Sequence, residues 1–211
     1  PPPPEALGEE HSLPAPASLE RLDAVMALGE SRGAVRLAPD DAGHRLQLAH
    51  ALYRIGDIDA AMEECRLAIK LQPDDAKAHV QLGILLIAKQ DWRAAASVLQ
   101  EAIRLDPGMA DAHYSLGSVH YSLGHLKAAV QSYRQALALQ PYFPDARYRL
   151  ALLLKLSKRE GEAAQFMEEA ALGGVPQAQF FLGNAYKSGQ GVEKDLGKAV
   201  FCWAKAAEYG N

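Results

Sequence analysis

Threonine is absent from this 211-residue chain, valine (9) and isoleucine (6) are scarce, and aromatic residues make up only 7%. Sheets draw on β-branched and aromatic side chains, so these shortages exclude an all-β fold. Cysteine is nearly missing too. Cys65 and Cys202 stand far apart without a CxxC partner, which fits neither a disulfide framework nor a zinc site and reads as small core residues. No apolar run approaches the roughly 20 residues that span a bilayer, so no membrane insertion is expected. Excess positive charge is lacking as well: the net charge is −4, and nothing global attracts nucleic acid. GxxxxGK[ST], GxSxG and HExxH do not occur, so the usual phosphate, acyl-transfer and zinc-protease signatures are missing. No catalytic, cofactor-binding or metal residues are assigned, and the chain reads as a non-enzyme. The N-terminal residue is Pro1 rather than Met. The sequence therefore reads as a piece of a longer one, expected to continue past Asn211.

What is abundant is alanine (38) and leucine (29), the composition of an all-α protein. Six of the twelve prolines fall within residues 1–17, a Pro-rich linker of polyproline II character expected to dock on an aromatic-lined groove of its own or a neighbouring molecule. Pro39, Pro73, Pro107 and Pro141 follow at steps of 34, and a fixed period of this size marks a repeat architecture. With repeats at 42–75, 76–109 and 110–143, the seventh residue is Leu48, Leu82 and Leu116, and the eighth Ala49, Gly83 and Gly117. The twentieth is Ala61, Ala95 and Ala129, and the twenty-seventh Ala68, Ala102 and Ala136. Small residues at eight and twenty let two helices cross closely, while large ones at seven, eleven and twenty-four fill the space beside them. The proline at thirty-two stops each second helix, because it has no N–H to continue it. Gly56 and Gly124 mark the turn between helices, with Gln90-Asp91 in their place in the second repeat. Upstream, 18–29 is an amphipathic helix with Ser18 as N-cap, and 34–39 imitates a second-helix ending, so 18–41 reads as a degenerate capping half repeat.

This pattern resembles the tetratricopeptide repeat, with Arg45, His79 and His113 where the family has an aromatic fourth residue. From 144 the register loosens, so 144–174 reads as transitional. The run 175–210, with AQ-x-x-LG-x-x-Y-x-x-G-x-GV, resembles the Sel-one-like repeat, Gly189 and Gly191 supplying unusual backbone angles in its longer turn. The resemblance implies an α-solenoid, antiparallel helix pairs stacked in a right-handed superhelix, with the first helices lining a concave groove. It places Gln47, His50, Tyr53, Arg54, Lys77, Gln81, Ile84, Tyr114, Ser118, Tyr121, Tyr148, Arg149, Lys155, Phe180 and Asn184 in that groove. Tyrosines, long polar side chains and local positive charge there suit an extended peptide. Leu46 and His50 stand where the family's Lys-Asn-Asn-Lys terminal-carboxylate arrangement requires Lys and Asn, so that arrangement is missing.

His113 and His120 share a helical face, which leaves a packing reading and a metal or pH-switch reading open. Tyr114, Tyr121 and Tyr148 are expected to be dispensable for helix packing. The functional expectation is a non-catalytic scaffold that binds a protein or peptide segment, part of a bacterial multiprotein assembly in cytoplasm or periplasm. The alternatives are a targeting or regulatory arm of a larger enzyme, and self-association through the Pro-rich N-terminus.

Overall fold

In the computed structural model, residues 18–208 are described, with side chains from residue 23. The Pro-rich segment 1–17 and the Ser18 cap lie outside the described residues and side chains. Among the described residues there are eleven helices and no strand. A single helix, α1 (Ser18–Leu37), precedes five antiparallel pairs. These are α2 (Ala42–Arg54) with α3 (Ile58–Leu71), α4 (Ala76–Ala88) with α5 (Trp92–Leu105), and α6 (Ala110–Ser122) with α7 (Leu126–Leu139). Then come α8 (Pro144–Leu156) with α9 (Glu160–Leu172), and α10 (Pro176–Ser188) with α11 (Leu196–Glu208). The protein is an all-α helical repeat of the solenoid class. It divides into two compact units, one holding α1–α5 and ending at Leu105, the other holding α6–α11 from Asp106 onward.

Helix ends follow from local chemistry. α3, α5 and α7 stop two residues before Pro73, Pro107 and Pro141. Asp41, Asp57, Asp75, Asp91 and Asp195 each accept a backbone N–H two or three residues ahead, at 2.9–3.2 Å, capping the helices that follow. Pro144 and Pro176 occupy the first helical position, where a missing N–H is harmless. The fourth-position residues tie each pair to the turn before it. Arg45 Nε donates to the Pro39 carbonyl at 2.9 Å, and the Nε2 groups of His79 and His113 reach the Pro73 and Pro107 carbonyls at 3.0 and 3.2 Å. A carbonyl only accepts, so both imidazoles carry their proton on Nε2 there.

Inside each pair the crossing is tight. A Cβ on Gly83 would lie 2.6 Å from Leu99, and one on Gly117 would lie 2.7 Å from the Tyr133 ring. Leu99 and Tyr133 hold the same twenty-fourth position and are fully buried. The last pair solves the same problem with a longer turn, residues 189–195 against three-residue turns at 55–57, 89–91, 123–125 and 157–159. Its extra four residues move Trp203 over Gly183, whose Cβ would lie 2.5 Å from the indole. Within that turn Gly189 and Gly191 take φ of 78° and 74°, and a Cβ on Gly191 would lie 2.6 Å from the Glu160 carbonyl oxygen.

Two features differ from the sequence reading. α1 runs unbroken through Gly29 and Gly33, where a helix stop and a second segment were expected. Ala24 and Leu28 are buried and α1 packs on α2, so tertiary cover outweighs the cost of two glycines. The register also holds through α9: α8 and α9 begin 34 residues after α6 and α7, with Ala163 and Ala170 buried at positions twenty and twenty-seven. The left-handed turn residue recurs with the same period, at Gly56, Gln90, Gly124 and Lys158.

The crossing can be tested directly. Gly117→Leu should lower stability by about 1–3 kcal/mol through overpacking against Tyr133. Gly29→Ala, whose Cβ meets nothing within 4 Å, should leave the melting temperature unchanged or raise stability by about 0.5–1 kcal/mol. Thermal unfolding followed by circular dichroism measures both.

Candidate functional site

When the small and large positions of a first helix face its partner, the remaining positions are left uncovered. In the first unit they form a groove of about 440 Å³ between α1, α2 and α4. Gln47, His50, Arg54, Lys77 and Gln81 all line it, as the sequence places them. Gln81 Nε2 donates to the Leu46 carbonyl at 3.3 Å, holding α4 against α2 at the groove floor. Arg54 and Lys77 are exposed and form no ion pair among the described residues. Glu30 and Ser31 of α1 complete the lining; only the continuous course of α1 brings them there, so repeat phasing could not have found them. Tyr53 and Ile84 are half-buried and do not line this groove.

In the second unit the predicted residues gather into two clusters. Around α6–α8, the Tyr114 ring lies 5.6 Å from Tyr133 and 4.9 Å from Phe143. The Tyr133 hydroxyl shares a 3.0 Å hydrogen bond with Ser118 Oγ. Half-buried Arg149 stands beside the Tyr114 hydroxyl, and Tyr121 packs on the same core. Burial pushes the Tyr114 phenol up, partly offset by Arg149. Burial likewise opposes the Arg149 charge, yet the Tyr114, Tyr133 and Tyr148 oxygens prevail and hold it above the usual arginine value.

The second cluster centres on Phe181. Tyr148 stands 6.3 Å from its ring, and Lys155 Nζ lies 5.5 Å over it. Lys155 and Asn184 edge a small cavity with Phe181, Glu160 and Gln190. Phe180 is exposed, touching Phe181 edge-on at 6.2 Å. The sequence reading missed Phe181 and the Tyr133 hydroxyl, because both occupy positions that normally only fill space.

The structure corrects the view that the groove tyrosines are spare. Tyr114 and Tyr121 pack on the core formed by Tyr133, Leu150 and Leu154, and Tyr148 packs on the neighbouring core around Leu182 and Tyr186. A tyrosine ring is long enough to lean from the groove face onto the next helix.

Burial pushes the Cys65 thiol up to about 12, far from thiolate reactivity. No cluster of three metal-ligating side chains occurs among the described residues. His113 is engaged with a carbonyl, and His120 lies 6.1 Å from the His125 ring, ring to ring. No described helix is long and apolar enough to cross a membrane.

Comparison with known proteins accords with this geometry. Profiles described as tetratricopeptide repeat match residues 42–85, 80–144 and 120–179. DAP3-binding cell death enhancer 1 of Rattus norvegicus is 42% identical over 52 residues, covering 25% of this chain and 10% of that protein. The chain thus spans about a tenth of the length of the curated relatives it matches. Among solved structures, MamA is similar at 25% identity with a TM-score of 0.62, covering 76% of this chain and 94% of that one. YrrB, a TPR protein with an unusual peptide-binding site, is 21% identical with a TM-score of 0.60, covering 85% and 92%.

Two measurements check these environments. Tyr114→Ala should destabilise by about 2–4 kcal/mol, whereas exposed Phe180→Ala should stay within about 0.5 kcal/mol. Burial, and secondarily His125, lowers the His120 pKa. The unfolded imidazole therefore takes up a proton before the folded one does. Stability from this group is complete above about pH 6.5 and is lost as pH falls through the unfolded and then the folded pKa. The melting temperature should drop between about pH 7 and pH 5, and His120→Gln should flatten that drop.

Proposed function

We propose that this chain, a tetratricopeptide-repeat protein from residue 42 to residue 179, is a non-catalytic scaffold that holds an extended peptide or protein segment on the uncovered faces of its first helices. The observation that carries this reading is the groove formed by Gln47, His50, Arg54, Lys77 and Gln81. Its side chains serve little structural purpose: four of the five are exposed, and neither cation forms an ion pair among the described residues. Arg, Gln and His donors on such a wall match the carbonyls and carboxylates of a strand, and stacking rings in the second unit offer apolar contact. Peptide binding by YrrB supports the reading by likeness of fold alone.

The finer parts of the proposal are three. The α10–α11 pair is a Sel-one-like repeat, supported by its seven-residue turn and by Gly189 and Gly191. The setting is a bacterial multiprotein assembly, the reading that Ala-rich mixed repeats suggest. The groove set extends across Tyr53, Ile84, Tyr114, Ser118, Tyr121, Tyr148, Arg149, Lys155, Phe180 and Asn184.

A bead-bound random decapeptide library, panned against the protein, tests the reading. Enriched peptides should bind wild type and lose about tenfold or more in affinity to Arg54→Glu/Lys77→Glu. The control Lys70→Glu/Arg93→Glu, exposed on α3 and α5, should bind as wild type does. Failure to enrich any peptide, or equal losses in both variants, overturns the reading.

A further inference from the structure

Three arginines of this protein are half-buried on first helices, and they are not equivalent. Arg45 forms an ion pair with Glu64 at 2.9 Å, and Arg147 with Glu169 at 3.0 Å. Arg149 has no carboxylate within 4.0 Å among the described residues; its neighbours are the phenols of Tyr114, Tyr133 and Tyr148. A guanidinium drawn partly out of water calls for a counter-charge, and here uncharged phenol oxygens stand in for one.

The surroundings of Arg149 are arranged as a receptor for a small anion. A guanidinium carries five N–H donors in a planar fork, and the Tyr114 hydroxyl stands beside it. No described residue accepts the Tyr114 O–H, so that donor is left for a ligand. Ser118 and Tyr133 satisfy each other nearby at 3.0 Å, which fixes the second ring. Tyr114, Phe143 and Tyr133 form an aromatic wall, with ring centroids 4.9–5.6 Å apart. Asp145, one turn earlier on α8, acts on the Tyr114 phenol but forms no ion pair with Arg149, so it is not the missing counter-ion. The next cation, Lys155, is committed to the Phe181 ring. One guanidinium with phenol donors matches a group of charge −1 better than a phosphate, which calls for two cations.

We infer that Arg149, with the Tyr114 hydroxyl, is the seat for a peptide carboxylate, flanked by an apolar residue on the Tyr114–Phe143 wall. This rests on the peptide-scaffold reading above and specifies its ligand. The carboxylate comes from an Asp or Glu side chain or from a chain terminus, and the two sources share the same chemistry. Arg149 binds it bidentately, Tyr114 donates a third hydrogen bond, and the neighbouring rings exclude water from the pair.

The test uses two bead-bound random decapeptide libraries, one ending in a free carboxylate and one amidated, against the whole chain. An acid at one fixed position in both libraries assigns a side chain; enrichment from the free-acid library alone assigns a terminus. For the best peptide, the Gln or amide counterpart should bind about tenfold or more weakly, and Arg149→Gln should abolish the difference between the two. Arg149→Lys should retain part of it, and Tyr114→Phe, which keeps the ring packing, should weaken only the acidic peptide. Thermal melts confirm that each variant is folded. Enriched peptides without a fixed acid, or an acid preference unchanged in Arg149→Gln, overturn this inference and leave the scaffold reading standing. No enrichment from either library overturns both.

Discussion

The structure depends on one close contact, repeated: a residue without a sizeable side chain at the eighth position of a first helix lies under a large residue of the second helix, the twenty-fourth of the repeat or, after the longer last turn, the twenty-eighth. Gly83 under Leu99, Gly117 under Tyr133 and Gly183 under Trp203 leave no room for even a methyl group. Leu99 and Tyr133 are fully buried as a result. The contact fixes which side of the first helix is covered. At 3.6 residues per turn, positions six, nine and thirteen then lie around the opposite side. Gln47, His50 and Arg54 are those positions, so the groove follows from the crossing.

Most of this frame was legible because it is written in residues with few conformational options. Proline stops a helix, glycine permits a crossing, and their 34-residue spacing needs no tertiary information. What escaped notice has physical reasons. Ala163 and Ala170 continue the register, but alanine is so common here that two more carry little signal. Gln90 and Lys158 occupy the same left-handed turn as Gly56 and Gly124, a conformation their side chains disfavour and the surrounding helices impose. Helical phase located Tyr114 on the groove side, but phase says nothing of reach, and its ring leans onto Phe143 and Tyr133. Sequence reasoning named five of the ten residues that line the groove of the first unit, put Tyr53 and Ile84 there as well, and could not see α1 closing it with Glu30 and Ser31.

Charge is distributed unevenly in a way that matters for recognition. The chain is acidic overall, at −4, while Arg54, Lys77, Arg149 and Lys155 stand on the first-helix faces. Outer-surface arginines such as Arg66 and Arg104 are neutralised by a glutamate three residues away on their own helix. Those exposed pairs contribute little stability.

Whether the first-helix faces are the recognition surface is decided most directly by site-specific photo-crosslinking. A benzophenone amino acid is placed at Gln47 or Gln81 within the groove, or at Lys70 or Arg93 outside it, and irradiated with a bound library-selected peptide. The account predicts peptide adducts at residues 47 and 81 and none at 70 and 93. Adducts confined to 70 or 93 would contradict it and move recognition to the second helices.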